Sequence, residues 1–184
     1  MLELGSNIGH NLLALKQLLT KCRLSAVEIN KQAVSELKEN LPEVDLQLAS
    51  ILEIHPIDLW DLVFTKGVLI HINPDKLPMV YDLMYKSSSH YILIAEYYNP
   101  TPIEINYRGH KGRLFKRDFA GEMLKKFSGL TLIDYGFIYH LDSNFPKDDM
   151  NWFLMEKKYM PNTKSMQLAT RNPNISQVIR PIYR

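Results

Sequence analysis

Met1-Leu-Glu-Leu-Gly-Ser-Asn-Ile-Gly-His-Asn11 is the stretch whose reading decides the fold. Its first four residues read as the end of a buried strand, Gly5–Gly9 as a loop, and Asn11 as the start of a helix. A strand that turns sharply into a helix leaves backbone N–H groups unpaired. Such a corner suits a ligand carrying a carboxylate or several hydroxyls. The spacing is Glu3-x-Gly5-x-Asn7-x-Gly9. Asn tolerates positive φ better than other non-glycine residues, so the turn keeps its shape with Asn7 in the middle. An ordinary tight turn uses the same residue types, so the elements that follow must decide.

Working outward, Asn11–Lys21 places Leu12, Leu15, Leu18 and Leu19 on one helical face. Leu24–Ile29 reads as a second strand ending in Glu28. Lys31–Asn40 carries Ala33, Val34 and Leu37 at helical spacing, and Pro42 stops it. Asp45–Ala49 is a weakly marked third strand and Asp61–Thr65 a short buried fourth. Asn73-Pro74-Asp75 signals a helix start, with Asp75 the expected cap, and that helix runs to about Ser87. Tyr91–Tyr97 is the clearest buried strand of the chain. Strand and helix alternate this far, which predicts an α/β fold with a doubly wound parallel sheet. Asn99–Arg117 then breaks the pattern. It is polar and turn-rich, with two prolines and two glycines, and reads as a functional insertion. Asp118–Phe127 is a short helix capped by Asp118. Leu130–Tyr139 and Met150–Lys157 are strands whose connection, Leu141–Asp149, is too short for a crossover helix, so they pair antiparallel.

The chain has 184 residues and a net charge of +2, enough apolar sequence for one core and too little charge for a dedicated nucleic-acid binder. Tyr159–Arg184 contains Lys164, Arg171, Arg180 and Arg184 and no acidic residue, which leaves residues 1–158 at −2, the total of +2 less the tail's +4. The expected organisation is one domain over residues 1–158 and a flexible basic tail over 159–184. A lone cysteine, Cys22, excludes an internal disulfide and fits a reducing compartment, so a cytoplasmic location is expected. No run reaches membrane-spanning length. The chain opens inside its first strand, so upstream residues are expected to be missing. No His/Cys/carboxylate group shows metal-ligand spacing.

The Glu3-x-Gly5-x-Asn7-x-Gly9 spacing resembles motif I of class I S-adenosylmethionine (SAM) methyltransferases, with Asn7 in place of the usual middle glycine. A parallel sheet ending in an antiparallel hairpin resembles the sheet of the same class. A nicotinamide-binding domain would continue in parallel and show G-x-G-x-x-G. Further segments together resemble the pseudaminic acid biosynthesis-associated methylases. They are Val27-Glu-Ile-Asn30, Asp61-Leu-Val-Phe-Thr-Lys-Gly-Val-Leu-Ile-His-Ile-Asn-Pro-Asp75, Ile94-Ala-Glu-Tyr-Tyr-Asn-Pro-Thr-Pro102, Tyr107-Arg-Gly-His110, Leu114-Phe-Lys-Arg-Asp-Phe-Ala120, Asp134-Tyr-Gly-Phe137, and Asp148-Asp149 with Trp152-Phe153. The tail after Lys158 lies outside this resemblance.

The resemblance implies a Rossmann-like class I methyltransferase fold and SAM as cofactor. Gly5, Ser6, Asn7 and Gly9 would let the backbone approach the methionine part of SAM, with Glu3 near its amino group. Glu28, with Ile29 beside it, would accept the ribose hydroxyls, and Ser50 and Ile51 would lie at the adenine edge. Lys66 and Gly67 would border the sulfonium. His71 is either a base toward the acceptor's proton or a histidine bonded to a loop carbonyl. Glu96 and Tyr97 follow the fifth strand and would face the same region, either as catalytic groups or as packing beneath the insertion. Tyr98, Asn99, Tyr107, Arg108 and His110 would bind the acceptor. The basic stretch Arg108, His110, Lys111, Arg113, Lys116 and Arg117 suits a phosphate or carboxylate, and a solvated basic loop has the same composition.

The activity so implied is methyl transfer to a nitrogen or oxygen of a small acceptor, a sugar or nucleotide-sugar intermediate of nonulosonic acid biosynthesis. Two other readings are a SAM-binding module without catalysis and a nucleic-acid or protein methyltransferase using the basic loop. Against nucleic acid, the loop lacks interleaved stacking aromatics.

Overall fold

A computed structural model describes residues 1–56, 58–144 and 147–158. The expected tail, 159–184, lies outside them.

Strand β1 (Leu2–Leu4) leads to helix α1 (His10–Leu18), β2 (Ser25–Glu28), α2 (Lys31–Asn40), β3 (Asp45–Leu48) and β4 (Trp60–Lys66). Two 3₁₀ turns, Leu69–His71 and Pro74–Lys76, precede α3 (Leu77–Ser87) and β5 (Ser88–Glu96). Then come β6 (Ile103–Tyr107), β7 (His110–Lys116), α4 (Phe119–Lys126), β8 (Leu130–Ile138) and β9 (Met150–Lys157). The main sheet has the order β3-β2-β1-β4-β5-β9-β8. The first five of these strands are parallel, and β9 is antiparallel to both β5 and β8. The predicted parallel sheet with a reversed hairpin at its C-terminal edge is therefore the architecture found.

The continuous apolar runs are explained by burial on both sheet faces. Leu62, Phe64, Leu93, Ala95 and Leu154 pack with Leu12 and Leu15 of α1 and Leu37 of α2. Their chain neighbours Val63, Ile92, Ile94 and Met155 pack on the opposite face with Val80 and Met84 of α3 and Met123 of α4. Each such side chain contributes about 1.5–3 kcal/mol of burial. β3 is the weakly patterned strand because it lies at the edge of the sheet, with only Leu46 among its residues half-buried.

Local differences from the sequence expectations have identifiable causes. Helix α1 begins at His10 and ends at Leu18, so Leu18 is exposed rather than on the buried face. Asn73, not Asp75, is the cap. Its side chain accepts from the Asp75 N–H and closes a separate 3₁₀ turn before α3. The segment expected as a polar, turn-rich functional insertion contains the antiparallel hairpin β6–β7. Its two-residue turn, Arg108-Gly109, has positive φ at both positions (51° and 82°), the geometry that matches strand twist. No helix among the described residues is long and apolar enough to cross a membrane.

Candidate functional site

The C-terminal ends of β1, β2, β4 and β5 meet at one edge of the sheet, where open α/β sheets collect ligands. Here the Gly5–Gly9 loop is tied down by backbone bonds. Gly5 and Ser6 N–H donate to the Val27 carbonyl at 2.8 and 3.3 Å, and Gly9 N–H donates to the Ser6 carbonyl at 3.0 Å. Asn7 takes φ 49°, the left-handed conformation that its residue type tolerates. Its N–H donates to Glu28 Oε2 at 2.7 Å, while Asn30 N–H donates to Glu28 Oε1 at 2.8 Å. A carboxylate offers about four lone-pair positions. Glu28 thus keeps capacity for two further donors beside the loop. The glycines have packing reasons of their own. A Cβ on Gly9 would stand 2.8 Å from Leu37 Cγ of α2, and one on Gly5 would stand 2.5 Å from Val68.

Glu3 is fully buried beneath this loop. Its Oε1 accepts from Asn11 Nδ2 at 2.7 Å, and its Oε2 has no hydrogen-bond partner among the described residues. Burial pushes its carboxyl up to about 8, offset in part by the Asn11 bond and by Lys66. Asn11 also accepts from Lys66 Nζ at 3.4 Å. Burial and the neighbouring Lys147 hold the Lys66 ammonium below its usual range. Asn11 was read only as a helix start. It lies inside α1, whose N-cap is Gly9, and its side chain reaches Glu3 and Lys66. The buried Ser6 hydroxyl is a second polar group without a partner among the described residues.

The other residues expected at this end are dispersed in role. Ile29 is exposed at the end of β2. Ser50 Oγ accepts from Leu52 N–H, and Ile51 packs on the edge of the core. Gly67 takes φ 65° and its N–H donates to the Ala95 carbonyl. Asn99 is engaged within its own turn, its amide bonded to Thr101. The Tyr98 ring packs on Phe153.

Glu96 does not stand open at the sheet edge. It is buried, 2% exposed, and its Oε1 accepts from the Val68 and Leu69 N–H groups at 2.9 Å each. Its Oε2 accepts from Ile70 N–H at 3.4 Å. Burial raises its carboxyl to about 7, against the lowering effect of those N–H donors. Glu96 therefore fixes the start of the turn that carries His71. Tyr97 bridges two segments. Its hydroxyl donates to Asp148 at 2.8 Å, and Lys116 lies 5.1 Å from its ring. Burial, then Asp148, push that phenol up to about 12.

His71 Nδ1 lies 2.9 Å from the Arg113 carbonyl oxygen. A carbonyl accepts only, so Nδ1 carries a proton, and in the neutral ring Nε2 is the nitrogen with the lone pair. The two alternatives read for His71 are thus compatible, since a loop-bonded histidine retains a basic nitrogen. His71, Tyr107, Arg108, His110 and Arg113 line a groove of ≈ 390 Å³. The sequence names Arg113 as one of six basic residues, and composition alone does not tell which of them faces a groove.

The strand order and the reversed β9 are those of a Rossmann-like methyltransferase fold. Among solved structures, the chain is similar to the N-methyltransferase NodS from Bradyrhizobium japonicum (16% identity, 86% of this chain and 85% of that one, TM-score 0.65). It is also similar to the 1,6-didemethyltoxoflavin-N1-methyltransferase of Burkholderia thailandensis (13% identity, 86% and 70%, TM-score 0.69), solved with S-adenosylhomocysteine. A third likeness is an O-methyltransferase from a polyketide synthase of Brevibacillus brevis, also with S-adenosylhomocysteine (12% identity, 85% and 66%, TM-score 0.66). No family model and no curated protein matches the chain.

Proposed function

We propose that this protein transfers a methyl group from SAM to a nitrogen or oxygen of a small acceptor. The observation that carries the reading is the 2.7 Å bond from Asn7 N–H to Glu28, which joins the Gly5–Gly9 loop to a carboxylate at the end of the next strand. The residues at that corner fit the cofactor. Glu28 has room for two hydroxyl donors, and Glu3 and Ser6 carry buried polar atoms without partners among the described residues. Glu28 would hold the ribose hydroxyls. Glu3 would answer the amino group, and Ile29, Ser50 and Ile51 would border the adenine. When bound, SAM supplies a methyl activated by positive sulfur, which passes to the acceptor's lone pair as the C–S electron pair returns to sulfur and leaves S-adenosylhomocysteine.

The chain itself supplies alignment and a place for the proton. His71 Nε2 takes the proton from an acceptor hydroxyl, and a neutral amine attacks without that help. Glu96 acts through His71, as the group that holds its turn. Tyr97 forms a wall next to Lys116. The acceptor is a sugar or nucleotide sugar of nonulosonic acid biosynthesis, a reading supported by the resemblance of the Tyr107-Arg-Gly-His110 and Ile94–Pro102 segments. Calorimetric titration with SAM tests the first step. Glu28→Ala should weaken binding tenfold or more, and heat unchanged by that substitution would count against the reading. Incorporation of labelled methyl into nucleotide sugars tests the second.

A further inference from the structure

We infer that the groove between the β6–β7 hairpin and the His71 turn is a phosphate-binding subsite, with Arg108 and Arg113 as its cationic walls. That the phosphate belongs to the methyl acceptor rests on the methyl-transfer reading; the anion site itself does not.

The lining contains two permanent cations, two imidazoles and one phenol, and no carboxylate. Arg groups without a counter-charge around one space favour an anion there. Two other cations of the same segment lie against other groups. Arg117 Nε donates to Glu122 at 2.6 Å, and Lys116 lies 5.1 Å from the Tyr97 ring. Arg108 and Arg113 have no carboxylate partner among the described residues, and residues 57, 145, 146 and 159–184 contain no Asp or Glu side chain. The acid nearest in the hairpin sequence, Glu104, accepts from the Gly112 N–H at 2.6 Å and is occupied by the fold of the hairpin.

The geometry gives the groove a firm frame. Arg108 sits at the tip of the two-residue turn with its guanidinium 5.2 Å from the Tyr107 ring, and Tyr107 lies 5.6 Å from the His71 ring. Arg113 is anchored through its own carbonyl to His71, so its backbone is held while its side chain lines the groove. Two guanidinium groups match the double charge of a phosphomonoester or a diphosphate better than the single charge of a carboxylate, and their planar forks suit phosphate oxygens. The volume, ≈ 390 Å³, accommodates a phosphate together with part of the group it esterifies. His71 belongs to the same lining, so a phosphate held there keeps the rest of the molecule beside that imidazole.

The test is titration of the full chain with inorganic pyrophosphate and with uridine diphosphate, followed by NMR of the arginine and histidine side chains at constant ionic strength. Acetate and a single-stranded oligonucleotide serve as comparisons. Shifts confined to Arg108, His110, Arg113 and His71, with affinity reduced tenfold or more in both Arg108→Ala and Arg113→Gln, support the site. So does S-adenosylhomocysteine affinity unchanged within twofold in those variants. Equal affinity for acetate overturns the phosphate assignment. Tighter oligonucleotide binding, lost in the same variants, overturns it in favour of nucleic acid. Pyrophosphate binding unaffected by either substitution overturns the site altogether. Loss of S-adenosylhomocysteine binding by the unaltered chain, with pyrophosphate still bound, would defeat the methyl-transfer reading and leave this one standing.

Discussion

The imidazole of His71 is fixed to the backbone carbonyl of Arg113 at 2.9 Å, so the hairpin holds the ring in one tautomer. The carbonyl needs a donor, and Nδ1 supplies it. In the neutral ring Nε2 is then the nitrogen with the lone pair. His71→Asn keeps a short N–H donor for Arg113 while removing the base. The expected outcome is a nearly unchanged melting temperature and a kcat reduced about 10²–10⁴-fold for a hydroxyl acceptor. Melting curves and labelled-methyl turnover check this pair of results. An unchanged kcat with that acceptor would show that His71 does not take its proton.

Glu96 holds the same turn from the other side. Three backbone N–H groups, those of Val68, Leu69 and Ile70, point at one carboxylate inside the core. Glu96→Gln leaves one acceptor oxygen and places an amide N–H₂ among donors. Hydrogen bonds to a charged group contribute about 1.5–3 kcal/mol, so the variant should lose that order of stability in urea unfolding. It should also lose turnover beyond that expected from unfolding, because His71 leaves its place. Full stability with normal turnover would show that Glu96 neither holds the turn nor serves the reaction.

Gly9 ends the loop with φ 86° and backs onto α2. Gly9→Ala puts a Cβ 2.8 Å from Leu37 Cγ. A left-handed conformation costs an L-residue about 1–2 kcal/mol, and crowding a packed core adds about 1–3 kcal/mol. Leu37→Ala alone should cost about 2–5 kcal/mol. The double variant should cost less than the two single ones added together, since the smaller side chain admits the new methyl. Urea unfolding of the four proteins gives the coupling, and strict additivity would show that Leu37 is not the group in the way.

The central strands were legible because both faces of the sheet are covered. A run such as Tyr91–Glu96 has no polar break until its end, and Val63 and Phe64 go to opposite cores with equal burial. The β6–β7 hairpin was not legible. Ile103, Ile105 and Tyr107 do alternate with Glu104 and Asn106, but prolines before them and glycines after them suggested a loop. The direction of Glu96 could have been found by parity. It shares a face with Ile92 and Ile94, which pack toward α3, so it points under the turn after β4. Position at a strand end suggested chemistry where the fold uses the carboxylate as a clamp. The link from Asn7 to Glu28 needed no parity, because two elements that pair side by side bring a loop and the next strand's end together. The choice of Arg113 from among six basic positions had no signal of its own, since which cation faces a groove depends on packing between distant segments.

The buried Glu3 carboxyl makes stability depend on pH in a particular direction. An unfolded glutamate titrates at about 4.3. In the folded chain burial raises Glu3 to about 8, so between those values the native state binds more protons than the unfolded one. Stability from this group is fully present below the unfolded value and is lost as pH rises toward 8, at up to about 1.4 kcal/mol per pH unit. Glu96, raised to about 7, has the same sign and titrates over much of the same range. Glu96 remains in a Glu3→Gln variant, so its titration is common to both proteins. Lys66, lowered by burial, contributes with the opposite sign and remains in a Glu3→Gln variant, so a comparison with that variant largely cancels it. Urea midpoints of the two proteins should therefore diverge as pH rises from about 5 to about 8, with Glu3→Gln falling less steeply, and run parallel above that. Parallel curves throughout the lower interval would mean that Glu3 keeps an ordinary carboxyl despite its burial, and that some donor reaches its second oxygen.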